Sequence, residues 1–282
     1  TALKTVSFKE GVTTMADYTF SNCTALTTIN IPKSMDAFNS SAFVGCKAIS
    51  TINCAEGSIY SMKDNVLMKN GTEIVFALPT VQVTGELVIP EGVTAIGDYA
   101  YEKQTGITSV KFPSTLKTIG KFAFSGCTGL TGEVVFPEGV TTIGREAFCK
   151  CAGITSIKLP STLTTIDQQA FQSAGLTALD LPASVTKMGY GVFQKTKIKT
   201  LYLPDGMNLD GGSEFVDCTE LTEVSVGGNI SNSFGDCTAL TKVTVREGAT
   251  SIGGRAFQGC TALTTVNLPA SLTTLNAQAF YG

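Results

Sequence analysis

Apolar positions recur along this chain in short alternating segments that end in proline. Ile107-Thr-Ser-Val110-Lys-Phe112-Pro113 and Ile154-Thr-Ser-Ile157-Lys-Leu159-Pro160 are clear copies, and others run from Leu26, Leu176, Ile198 and Leu263 to a proline. Weaker copies begin at Leu3, Ile49, Thr84, Leu221 and Leu240, and one with an inserted residue begins at Leu130. In a strand, alternate residues share a face, so Val110 and Phe112 point inward and Lys111 points to solvent. Proline has no N–H to give a ladder and closes the strand. Each unit has a second half: Leu116-Lys-Thr-Ile119-Gly120 or Val140-Thr-Thr-Ile143-Gly144, then an aromatic element, Ala123-Phe124-Ser-Gly-Cys127 or Ala147-Phe148-Cys-Lys-Cys151. The first of these predicts a second short strand, with the glycine turning the chain. The Phe is placed to fill the wide end of a core.

Successive copies start 19 to 24 residues apart, apart from one long interval between Ile49 and Thr84. That period lies in the leucine-rich-repeat range. One unit cannot bury its own apolar face and needs neighbours on both sides. The prediction is a mainly β, right-handed leucine-rich-repeat solenoid of about twelve coils. It has a parallel main sheet and short second strands. At about 4.8 Å per coil it extends on the order of 55–60 Å. Residues 1–282 read as one solenoid with an insertion at 55–83. Within the insertion, Val66-Leu67-Met68, Asn70-Gly71 and Glu73-Ile74-Val75-Phe76 predict a hairpin, because Asn-Gly between apolar runs is the strongest short hairpin signal. The hairpin either protrudes or covers a side of the stack.

The run Pro137-Glu-Gly-Val-Thr-Thr-Ile-Gly-Arg-Glu-Ala-Phe148, followed by Cys151 and Ile154, resembles the BspA-like, or Treponema-type, leucine-rich repeats. The resemblance extends over essentially the whole chain. It implies a bacterial protein, secreted or on the cell surface, of a family to which adhesion to host proteins or other cells is attributed. It implies no catalytic residues and no cofactor. Thr1-Ala2-Leu3 repeats the Thr-Ala-Leu that follows Cys23, Cys237 and Cys260, and the last residues stop one short of a Cys position. The expectation is therefore a segment of a longer array, with end-to-end self-association left open.

Composition narrows the function further. The net charge of −3 gives no basic footprint for nucleic acid. No apolar run approaches the roughly 18 residues of a membrane helix. The chain has no His, which removes the commonest general base and metal ligand together. Seven of the nine Cys sit three residues after the aromatic, and Ala174 and Thr196 fill the same slot elsewhere. A slot that accepts Cys, Ala or Thr suits a small buried side chain, so free thiols are expected ahead of disulfides or zinc. Asp205, Asp210, Glu214 and Asp217 lie in a Gly-rich stretch but match no calcium spacing, which favours an irregular turn.

The outward column of the main strands is the candidate ligand face, and Lys111, Lys158, Asp180 and Tyr202 are its candidate contacts. Lys158 and Asp180 stand where they can pair across strands. Tyr202 is the aromatic of the column, a residue type enriched at interfaces. The reading is a non-catalytic, adhesin-like scaffold for an extracellular protein or glycan. The alternatives are an architectural spacer or fibre element and, remotely, a surface glycan hydrolase, which needs two carboxylates about 5–10 Å apart.

Overall fold

A computed structural model describes residues 2–210 and 212–282; Thr1 and Gly211 lie outside the described residues. Coils are numbered 1 to 12 from the units that start at Leu3, Leu26, Ile49, Thr84, Ile107, Leu130, Ile154, Leu176, Ile198, Leu221, Leu240 and Leu263. Most have three sides: a main strand, a short second strand or single bridge, and a third side of consecutive turns that carries the aromatic.

Main strands pair in parallel and in register. Val6, Ile29 and Ile52 align, as do Val224, Val243 and Val266. The main side is not one sheet. It falls into four hydrogen-bonded pieces, in coils 1–3, 4–5, 6–7 and 9–12. Coil 8 keeps the apolar alternation at Leu179 and Leu181 but forms no strand over 176–182. The expected inserted residue in coil 6 is a register shift between Gly132 and Glu133.

The second side is the more continuous one. Lys187–Met188, Thr165–Ile166, Thr142–Ile143, Thr118–Ile119 and Ala95–Ile96 pair in parallel, and then with Glu73–Ala77 of the insertion. The insertion covers this side rather than protruding. Val66–Lys69 pairs antiparallel with Glu73–Ala77 through Asn70 and Gly71, whose φ angles of 51° and 68° suit a hairpin turn. A further strand, Tyr60–Lys63, pairs antiparallel with Val66–Lys69 through Asp64 and Asn65. The hydroxyl of Tyr60 ties this sheet to coil 2, accepting from Phe38 N–H at 2.8 Å and donating to Asp36 C=O at 3.1 Å.

The glycines after the second strands do a different job from the turning expected of them. Gly120 and Gly144 are not in the left-handed region. A Cβ on Gly120 would stand 2.7 Å from the backbone of Gly97 and Asp98, and one on Gly144 would stand 2.7 Å from Gly120. Close backbone approach between coils, not chain direction, excludes a side chain there.

The third side holds the wide end of the core. Nine rings from Tyr101 through Phe124, Phe148, Phe171, Phe193, Phe215, Phe234 and Phe257 to Phe280 stack with centroids 5.1–5.6 Å apart and planes within 4–13°. Its backbone forms its own ladder. In coil 5 the N–H groups of Phe122, Phe124 and Gly126 donate to the carbonyls of Arg145, Ala147 and Cys149, each at 2.8 Å. Phe122 and Gly126 have positive φ, which turns all three N–H groups toward the next coil. The core is divided at the insertion. One cluster runs from Cys23 to Leu78 and a second from Met68 to Ala279, with Val75 and Phe76 feeding the first and Ile74 and Ala77 the second.

Candidate binding face

The column read from the sequence is real over each paired stretch. Val88 stands beside Lys111, Val135 beside Lys158, and Tyr202, Ser225, Thr244 and Asn267 follow one another. Lys111, Lys158, Asp180 and Tyr202 are all exposed. They are not brought together into one cluster. No ion pair joins Lys158 to Asp180 among the described residues. The expected pairing fails because coil 8 forms no main strand: Thr177 N–H donates to Thr155 C=O of coil 7 at 3.0 Å, but among the described residues no ladder continues from there to Asp180.

Tyr202 is different. It is 62% exposed, yet one face of its ring is covered by the guanidinium of Arg246, 4.0 Å from the ring centroid. Arg246 is itself held on several sides. Its Nε and Nη2 donate to Asp205 Oδ1 at 2.9 and 2.7 Å, Nη1 donates to Ser225 Oγ at 2.7 Å, and Nη2 also donates to Leu203 C=O at 2.5 Å. Arg246 lies two coils from Asp205. It reaches over coil 10 because the residue between them is Gly227, where a Cβ would stand 2.9 Å from Nη2 and 2.6 Å from Asp205 Oδ1.

Reading the column alone missed Arg246. The signal was in the slot after the strand, which holds Pro in most coils, Pro204 of coil 9 included, but Gly227 and Arg246 in coils 10 and 11. A strand-ending Pro replaced first by Gly and then by Arg is the sequence trace of a side chain crossing a bare backbone.

Four glutamates elsewhere cap the turns. Glu138 accepts from Ser161 N–H at 3.2 Å and Ser161 Oγ at 3.0 Å in the next coil; Glu10, Glu91 and Glu247 cap the next coil in the same way. Those hydrogen bonds, from Ala270 first, hold the Glu247 carboxyl below its ordinary range. In the Gly-rich stretch, Asp205 belongs to Arg246 and Glu214 accepts from Gly212 N–H at 3.0 Å. Among the described residues no group of three or more Asp, Glu, Cys or His side chains is gathered to hold a metal ion.

The nine cysteines are free, and all but Cys54 are buried. Their slot has a hydrogen-bond reason as well as a size reason. The thiols of Cys46, Cys127, Cys151, Cys218, Cys237 and Cys260 each donate, at 3.0–3.3 Å, to the carbonyl of the aromatic residue one coil back. Burial pushes the Cys127 thiol up to about 12, and the Cys149 and Cys218 thiols up to about 11. These three are packing groups rather than nucleophiles. No helix among the described residues is long and apolar enough to cross a membrane.

The comparisons with known proteins agree with this architecture. A leucine-rich repeat protein from Bacteroides ovatus ATCC 8483 is 24% identical, with a TM-score of 0.63 over 99% of this chain and 84% of that one. One from Eubacterium ventriosum ATCC 27560 is 21% identical, with a TM-score of 0.63 over 99% and 82%. At these identities the likeness is one of fold. No curated protein matches the chain. The BspA type leucine rich repeat region matches in six copies, over residues 1–86, 75–132, 131–232 and 229–282, and the chain belongs to that family.

Proposed function

We propose that the chain is a non-catalytic, adhesin-like binding scaffold, secreted or on the cell surface, whose main-strand face meets an extracellular protein or glycan. The observation that carries this is the clamped Tyr202. An exposed aromatic normally gives up rotamer freedom on binding, which costs about 0.5–1.5 kcal/mol for a mobile side chain. Here Arg246 holds one face of the ring in advance, and the other face stays open to a partner. Lys111, Lys158 and Asp180 lie along the same face and supply charge around it. The turn carboxylates are used as caps, and family membership supports a scaffold over a hydrolase.

The test is binding of the chain to an array of extracellular-matrix proteins, mucins and glycans, with a Tyr202→Ala, Lys158→Ala variant alongside. Saturable binding to a target, weakened by about 2 kcal/mol or roughly thirtyfold in the variant, is expected if Tyr202 is an anchor. Equal binding by both forms would remove the main-strand face from the account.

A further inference from the structure

The third-side ladder is continuous from coil 4 onward and is interrupted between coils 2 and 4. Coil 3 takes the same number of residues to cross from Ile74 to Gly85 as coil 4 takes from Ile96 to Ile107. It does not make the usual turns. It runs extended to Ala77 and cuts inside, burying Phe76 and Leu78. The result is a cleft of about 380 Å³, with coil 3 as its floor and coils 2 and 4 as its walls. Across the same gap the hydroxyls of Tyr18 and Tyr99 meet at 3.2 Å.

The walls carry an open donor and an open acceptor. In coil 1, Asn22 N–H donates to Val44 C=O of coil 2, and in coil 4, Lys103 N–H donates to Ser125 C=O of coil 5. Gly45 is the matching residue of coil 2, and among the described residues its N–H has no partner. Glu102 is the residue of coil 4 that matches Ser125, and among the described residues its C=O has no donor. Coil 2 meets coil 3 through Ser40 Oγ, which donates to Val75 C=O at 2.8 Å, rather than through the ladder. Its residues Ser40–Phe43 rewind into a 3₁₀ turn, with Ser41 N–H given to Asn39 Oδ1 at 3.1 Å. Between the walls, the usual Cys slot of coil 4 holds Gln104, only 3% exposed. Its Oε1 accepts from Val83 N–H at 3.3 Å, and among the described residues its Nε2 donates to no protein group. At the rim Lys103 is paired with Glu102 at 2.6 Å, whereas Lys47 has no ion-pair partner among the described residues.

We propose that this cleft binds an extended polypeptide segment of a partner protein, which completes the ladder that coil 3 leaves open. The segment accepts from Gly45 N–H on one side, donates to Glu102 C=O on the other, and offers a carbonyl to Gln104. It carries an acidic side chain toward Lys47. A backbone seated between two open edges gains affinity from main-chain hydrogen bonds and specificity from the side chains beside them. The cleft volume lies within the range of small-ligand sites. The site is on a different side from Tyr202 and does not depend on the reading of that face.

The first readout is amide exchange of the free chain by NMR. Gly45 should exchange fast, while Gly126 and Gly259, which donate to Cys149 and Tyr281 in the same ladder position, are protected. Comparable protection of Gly45 would overturn the proposal. The second readout uses a displayed library of random linear heptapeptides, with selected sequences measured by fluorescence anisotropy. Selected peptides should be rich in Asp or Glu and should slow exchange at Gly45. They should lose about tenfold or more in affinity, about 1.4 kcal/mol, against Val44→Trp, which fills the cleft, and against the surface variant Lys47→Glu. Tyr202→Ala should leave them unchanged. Failure to select any peptide, or selected peptides that bind both cleft variants as tightly as the parent chain, would overturn it.

Discussion

Truncating Phe171 tests whether the ring column holds the array together. Phe171 has no solvent exposure and lies between Phe148, at 5.5 Å and 7°, and Phe193, at 5.6 Å and 5°. Phe136 meets it edge-on at 6.3 Å. Phe171→Ala removes the buried ring and leaves a cavity that neighbouring rings, each fixed by its own coil, cannot collapse to fill. Such truncations cost about 3–5 kcal/mol. The two face contacts add about 0.5–1.5 kcal/mol each beyond area burial, which places this site at the upper end. Phe280, 38% exposed and with one ring neighbour, is the internal control, and Phe280→Ala should cost about 1–2 kcal/mol. Urea unfolding of both variants reads the difference, and an unchanged denaturant slope would show that cooperativity survives. If the two truncations destabilise equally, within about 0.5 kcal/mol, the column is a by-product of the coil repeat and not a source of its stability.

Raised thiols make stability alkali-sensitive. Cys127, Cys149 and Cys218 keep their protons in the fold to about 12, 11 and 11, against an ordinary value of 9.0. Unfolding therefore releases protons above pH 9, so their contribution is complete below that pH and is lost as pH rises toward 11–12. The thermal midpoint under reducing conditions should fall over that window, and Ala at all three positions should flatten the fall. Tyr60→Phe leaves Phe38 N–H and Asp36 C=O unpaired and should cost about 1–3 kcal/mol. Faster amide exchange confined to coils 1–3 would be its signature. Gly227→Val puts a side chain where Arg246 crosses to Asp205, so Tyr202 should lose its clamp. Nanosecond mobility of a ring label at Tyr202, measured by ¹³C relaxation, should rise in this variant, and no change would show that Arg246 does not hold the ring.

The repeat could be read from the chain because each coil uses the same few positions for the same purpose. Alternation in Val110, Phe112, Ile157 and Leu159 defined the main strands, and Phe at a fixed offset defined the ring column. Asn70-Gly71 marked one hairpin of the insertion. The companion turn at Asp64-Asn65 had no glycine and was missed. Pattern also placed Tyr202, Lys111 and Lys158 on one exposed column, since period-two alternation assigns a face without reference to neighbours.

Contacts between coils were decided only in three dimensions, because sequence periodicity averages over coils and hides what differs between adjacent ones. Arg246 clamps Tyr202 only because Gly227, in the coil between them, has no side chain to block the path. Lys158 and Asp180 do not pair with each other because coil 8 forms no main strand. Coil 3 spans its third side with the usual number of residues, so its length gave no warning that it cuts inside. The Cys slot is legible as small and buried, but its hydrogen bond to the preceding coil's carbonyl is not. One chain's periodicity encodes the shape of a coil, whereas hydrogen bonds and steric gaps between coils depend on pairs of residues about a repeat apart, and those pairs are set by packing.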